Sequence, residues 1–360
     1  MTTTTRKAVL SGLALASTAA ILTGCASAPE TDGASGGGAS SDFVPCMVSD
    51  AGGFDDKSFN QLGYEGLTEA ADELGAEPNT VESADETVYT SNIDSLVGQG
   101  CNLIVTVGFL LADATGVAAE QHPDVDFATI DDASNTADNV RPITFNTSEA
   151  AFLAGYAAAS FSKTGVVGTM GGLNIPTVTI FMDGYVDGVE YYNEQKDADV
   201  QVVGWDVENP EGGTFTGGFE AGTQAKASAQ TLIDQDADVI MAVGGPIYQS
   251  AAQAIRDSGE DIVMVGVDSD TYETDPANAD LMLTSVLKGI KQATSDVVTS
   301  AAEGDFTNEA YVGTLENEGV GIAPFHDYES EVDPALQDEL DEISAGIIAG
   351  DIEVATSSAE

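Results

Sequence analysis

Asp50, Asp55, Asp56, Lys57, Ser58 and Asn60, with Phe54 and Phe59 among them, put three carboxylates, an ammonium, a hydroxyl, an amide and two aromatic rings into eleven consecutive positions. A loop that only reverses the chain needs none of these. Carboxylates accept hydrogen bonds from hydroxyl and N–H groups, and an aromatic ring offers its face to a flat partner. The chemistry on offer is therefore capture of a small polar molecule that carries a planar apolar part. Asp268 also stands at the end of an apolar run, as Asp50 does, and a carboxylate there can accept the two hydroxyls of a sugar diol. A helix N-cap or a plain loop carboxylate is the competing reading at both positions. Phe59 falls on an apolar helical row, so packing competes with ligand contact, whereas Phe219 follows Gly217-Gly218 at the head of an expected helix. Gly245 either lets backbone approach a ligand closely or simply ends a strand.

The elements that must position these residues can be read from periodicity. The Asp50–Asn60 stretch joins an apolar run at 43–48 to Phe59, Leu62, Gly66, Ala70 and Leu74, which recur at helical spacing. That is a strand, a turn and a helix, and open α/β sheets hold ligands at the carboxyl ends of their strands. Strands follow at 76–81 and 103–107 around a helix at 91–99, then a strand at 125–130 ending in Asp131 and Asp132. Residues 140–145 cross over into an alanine-rich helix at 149–161. The pattern then restarts, with strands at 166–170, 200–207, 239–243 and 262–267 and helices at 180–192, 219–233 and 248–258. Helices at 287–302 and 334–348 are shared between the halves. Two successive βαβ sets predict two parallel sheets, each with helices on both faces.

The ends and the composition narrow the classes. Arg6 and Lys7 precede an apolar run at 8–22, too short for a bilayer span, that closes in Leu22-Thr23-Gly24-Cys25. Residues 1–24 read as a lipoprotein signal peptide, Cys25 as the lipidated residue, and 25–42 as a flexible tether. The chain has 61 Asp and Glu against 10 Lys and Arg, and loss of the signal removes two of the basic residues, leaving a net charge of −53. Such a surface repels phosphate, which excludes nucleic acid as a partner and disfavours nucleotides and anionic lipid. Solubility or adaptation to salt explains the acidity as a whole. Cys46, in the first strand, and Cys101, just before the third, are neighbours in a doubly wound sheet. They form either a disulfide or two buried thiols in an exported chain. With two histidines and no phosphate-cradling glycine motif, enzyme readings have little to stand on. Asp234–Asp238 imitates a calcium loop but lacks its glycine and glutamate, so neither metal nor cofactor is expected.

The Asp50–Asn60 stretch closely resembles the signature of the basic membrane protein (BMP) family, nucleoside-binding lipoproteins that serve ABC importers. The resemblance continues through residues 127–131, 239–246, 266–270 and 283–288. It implies an α/β, type I periplasmic-binding-protein fold: two doubly wound parallel-sheet lobes joined by a hinge around a cleft. The expected lobes are 43–146 with about 269–320, and 147–268 with about 321–360. The resemblance also implies that Asp268 holds a ribose beside Lys288, that Asp56 and Asp131 contact the base or its surroundings, and that Phe59 and Phe219 stack on it. Family members often have Asn at the position of Asp56. The implied protein is a monomeric, lipid-anchored binder that delivers a nucleoside, purine by preference, to an ABC permease on the extracytoplasmic face of the cell membrane. It meets the membrane through its N-terminal lipid alone. A nucleoside hydrolase using Asp55-Asp56 with Asp131-Asp132, and a lipid-anchored sensor with the same cleft, are the alternatives.

Overall fold

The computed structural model describes residues 43–354, so Cys25 and the tether lie outside the described residues. In chain order the strands are β1 Pro45–Val48, β2 Asn79–Val81, β3 Leu103–Val107, β4 Asp126–Ile130, β5 Val140–Phe145, β6 Val166–Gly171, β7 Gln201–Val203, β8 Val239–Val243, β9 Val263–Asp268, β10 Met282–Lys288, β11 Tyr311–Gly313 and β12 Val320–Ile322. The helices are α1 Phe59–Leu74, α2 Tyr89–Gly98, α3 Ala112–Gln121, α4 Thr147–Phe161, α5 Pro176–Lys196, α6 Thr223–Ile233, α7 Ile247–Ser258, α8 Thr271–Thr274, α9 Ile290–Glu303 and α10 Leu336–Ala349.

Two sheets result, in the orders β2-β1-β3-β4-β5-β11 and β7-β6-β8-β9-β10-β12. All pairings are parallel except that of β10 with β12. β3, β8 and β9 are buried along their whole length, as strands covered by helices on both faces must be. This is the doubly wound architecture of a type I periplasmic-binding-protein fold, with one sheet at the centre of each lobe. The two sheets repeat one order, which makes β4 the counterpart of β9. Both are followed or closed by an aspartate in the left-handed region, Asp131 (φ 64°) and Asp268 (φ 67°). The chain passes between the sheets after β5, after β10 and between β11 and β12. These crossings are tied to one another: Asn146 N–H donates to Gly313 O at 2.7 Å and Gly289 N–H to Gly319 O at 2.8 Å.

Several expectations need correction. Residues 282–288 form a strand of the second sheet, paired with β9 and β12, where the sequence was expected to enter a helix at 287. Met282–Val286 is buried throughout and Gly289 separates the strand from α9, which packs on α1. Residues 282–288 therefore belong with the second sheet and 290–313 with the first, in place of a single first-lobe segment over 269–320. β7 ends at Val203, short of the expected 207, and Trp205 beyond it buries its indole, which donates to Asp183 Oδ1 at 2.8 Å. α6 begins at Thr223, so Phe219 lies in the preceding loop and not on the helix. α3 was not anticipated; Val117 is its one large apolar side chain and is 48% exposed, which leaves no apolar stripe to read. Cys46 and Cys101 are joined by a disulfide with Cα atoms 5.9 Å apart, consistent with β1 lying beside β3.

Candidate functional site between the lobes

The site begins where β1 ends. Asp50 lies beyond Val48 at the point where the order of the first sheet reverses between β1 and β3, the usual ligand position in such sheets. The loop that follows is fixed from within. Asp56 accepts from the backbone N–H groups of Ser58 (3.0 Å), Asn60 (2.9 Å) and Gln61 (3.0 Å), which supplies partners to donors that the first turn of α1 leaves unpaired. The Asn60 side-chain amide donates to Asp50 Oδ1 at 2.8 Å and to Asp56 Oδ2 at 3.1 Å. Gly52 N–H adds a bond to Asp50 Oδ1 at 2.9 Å. Asp50 is 7% exposed, and its Oδ2 receives no hydrogen bond from the described residues.

The paired aspartates of the two lobes meet over one lysine. Lys288, the last residue of β10, holds its ammonium 2.7 and 2.5 Å from the two oxygens of Asp131 and 3.9 Å from Asp268 Oδ1. Its side chain is 2% exposed. The rings of Phe59 and Phe145, each 5.0 Å away, and of Phe181 at 5.6 Å surround it. A buried ammonium needs such a set of partners, because removal from water is costly and both carboxylates and aromatic faces offset the loss. Asp268 Oδ2 accepts from the Ser58 hydroxyl at 3.0 Å. Burial pushes the carboxyls of Asp50 and Asp268 up to about 6, against a lowering contribution from Lys288 at Asp268.

The second lobe supplies the opposite wall. Phe219 lays its ring over Gly172 and Gly244, at the point where the second sheet reverses order between β6 and β8. A Cβ on Gly172 would come within 2.4 Å of that ring and one on Gly244 within 2.6 Å, so the aromatic fits only over bare backbone. Gly245 (φ 49°) approaches Asp56, whose Oδ2 would lie 3.7 Å from a Cβ there. Asp50, Asp56, Phe59, Asp131, Phe219, Gly245 and Asp268 all line one interlobe cavity, and Lys288 stands behind the Phe59 and Phe181 rings of its wall. The cavity also meets Asn60, Phe109 and Leu110, and Ile175, Thr177, Val178 and Phe181 around the start of α5. Asn60 was part of the loop's chemistry in the sequence, and its spacing four after Asp56 could have marked it as a site residue. The α5 residues are apolar or small and carried no chemical signal.

Other sequence candidates lead elsewhere. Lys57 pairs with Asp55, which is 86% exposed, and Asp132 Oδ2 accepts from Ser134 N–H and Oγ. Asp55-Asp56 and Asp131-Asp132 therefore do not form one cluster. In the loop that imitates a calcium site, Asp238 bonds Ser162 Oγ and the N–H groups of Lys163 and Thr164. Among the described residues no group of three or more His, Cys, Asp or Glu side chains could hold a metal ion, and no helix is long and apolar enough to cross a membrane. His326 bonds Asp270 and stacks on Tyr272, ring centroids 4.0 Å apart.

Comparison with known proteins agrees with this fold. The Bmp family model, described as ABC transporter substrate-binding protein PnrA-like, matches residues 43–357. The chain is 30% identical to the ABC transporter nucleoside-binding protein BmpA of Lactococcus lactis subsp. cremoris over 88% of its own length and 91% of the relative's. It is 30% identical to basic membrane protein A of Borreliella burgdorferi over 84% of each chain. An ABC transporter solute-binding protein from Aeropyrum pernix K1 superposes with a TM-score of 0.78 at 25% identity, covering 87% of this chain and 93% of that one. The chain belongs to the Bmp family of PnrA-like ABC transporter substrate-binding proteins.

Proposed function

We propose that the protein binds a purine nucleoside between its lobes, without transforming it, and delivers it to an ABC permease, working as a monomer tethered to the extracytoplasmic face of the cell membrane by a lipid on Cys25. The observation that carries this reading is the presence of Phe59 and Phe219 together with Asp50, Asp131 and Asp268 around one interlobe cavity. The rings provide faces for a base, and the carboxylates accept from ribose hydroxyls and ring N–H groups. A phosphate finds no free cation there, because Lys288 is engaged by Asp131. The relative that is named as nucleoside-binding adds support. Closure of the lobes on the ligand creates the surface the permease recognises.

A thermal-shift screen tests the ligand. Purine nucleosides should raise the melting temperature most, their monophosphates much less and free ribose least. A monophosphate as effective as its nucleoside would remove the charge argument, and a ribose-only response would remove the stacking one. Guanosine recovered intact after prolonged incubation is expected, and its cleavage to base and sugar would point to the hydrolase alternative. The anchor is tested separately. A fatty-acid analogue should label the wild type in cells and leave Cys25→Ser unlabelled; equal labelling of both would contradict lipidation at Cys25.

A further inference from the structure

We infer that the site favours nucleosides whose base carries a positive charge at neutral pH, the class that includes N1-alkylated adenosine and N7-alkylated guanosine. The inference rests on the nucleoside reading above and narrows it.

The reason lies in which polar side-chain atoms remain uncommitted. Asp56 is engaged by three backbone N–H groups and Asn60. Both oxygens of Asp131 face the Lys288 ammonium, and the Asn60 amide is divided between Asp50 and Asp56. Among the carboxylate oxygens two are left over: Asp50 Oδ2, which receives no hydrogen bond from the described residues, and Asp268 Oδ1, whose nearest cation is 3.9 Å away. Both are acceptors on carboxylates that are nine-tenths or more buried, 7% and 5% exposed. Both residues line the cavity, as do Phe59 and Phe219.

A buried ionised carboxylate is costly in such surroundings, which is why burial raises both groups to about 6, at Asp268 against the lowering contribution of a Lys288 already shared with Asp131. A neutral nucleoside supplies hydrogen bonds to these oxygens and adds no counter-charge. A cationic base supplies both, and it is attracted to the faces of the aromatic rings as well. The charged groups around the cavity are Asp50 and Asp56 from the loop after β1, Asp131 after β4, Asp268 at the end of β9 and Lys288 at the end of β10. They sum to an excess of negative charge when all are ionised. A cation favours the ionised carboxylates, so its affinity is full above about pH 6 and falls as pH drops through that value. A neutral nucleoside gains only the smaller difference between a charged and a neutral hydrogen-bond acceptor, so its dependence on pH is weaker.

The experiment is calorimetric titration of the intact protein at neutral pH with 1-methyladenosine, a cation, and with N6-methyladenosine, an uncharged isomer carrying the same added methyl. Adenosine serves as the parent. The expected result is 1-methyladenosine binding at least about tenfold more tightly than the other two, since buried charge pairs are weakly screened. Its advantage should shrink below about pH 6 and in Asp50→Asn, which keeps Oδ1 and its bonds while removing the charge. If adenosine binds and 1-methyladenosine binds no more tightly than N6-methyladenosine, the charge inference is overturned and the nucleoside reading stands. If no nucleoside binds, both are overturned.

Discussion

At Asp268, Ser58 bonds one carboxyl oxygen, Lys288 stands 3.9 Å from the other, and burial pushes the group up to about 6. A raised carboxyl favours its protonated form in the folded state. Its contribution to stability is therefore complete at pH below the ordinary carboxylate range and is lost as pH rises through about 6. For a fully buried group the loss is at most roughly 3 kcal/mol. Asp268→Asn should accordingly melt at a higher temperature than the wild type at neutral pH without ligand, with a flatter dependence of melting temperature between mildly acidic and neutral pH. It should also lose affinity for nucleosides by about 1–3 kcal/mol, since a ligand hydroxyl loses a charged acceptor. Scanning calorimetry checks the first part, and a pH profile like that of the wild type would contradict it. Asp50 and Asp268 were legible in the sequence because strand ends in α/β sheets are where ligand groups stand. The pairing of Lys288 with Asp131 was not: the two are 157 residues apart, and only the two-lobed fold brings them together.

Among the elements, the loop before α1 is held to both lobes. Its Ser58 hydroxyl bonds Asp268, and the Lys57 carbonyl accepts from Ser269 Oγ at 2.8 Å and Thr274 Oγ1 at 2.9 Å. The crossings between the lobes are equally tight, because a Cβ on Gly319 would lie 2.3 Å from Gly313 Cα. Gly319→Ala must push these backbones apart, and overpacking of this kind costs about 1–3 kcal/mol. The expected outcome is a folded protein of lower melting temperature and weaker ligand affinity, although Gly319 is not on the cavity wall. Unchanged affinity by calorimetry would show that the crossings do not set the interlobe geometry. Most elements were legible from periodicity, since buried parallel strands read as apolar runs and α1 keeps a clear stripe. β10 was misread because Val286 and Leu287 near its end are separated from Ile290 at the start of α9 only by Lys288 and Gly289. β11 and β12 were missed because strands of three residues carry too little pattern.

For the molecule as a whole, the charge and the fold act in opposite directions on ligand choice. Lys57, Lys163, Lys196, Lys226, Arg256, Lys288 and Lys291 all sit in ion pairs, so the remaining acidic groups leave the surface strongly anionic. That field repels phosphates, while the repeated strand order places acceptors and rings from both lobes on one cavity. Fold class was readable because the βαβ alternation occurs twice. The assignment of 282–288 was not, because sheet membership depends on pairings that no local pattern records. The central claim is that the two lobes close on a flat base and its sugar. Its most direct test is isothermal titration calorimetry of guanosine against the wild type, Phe59→Ala and Phe219→Ala, each checked for cooperative melting. The account predicts one site on the wild type and a loss of about 1–3 kcal/mol in each variant, the value of one stacked face. Guanosine that fails to bind the wild type, or that binds both alanine variants as tightly, would contradict it.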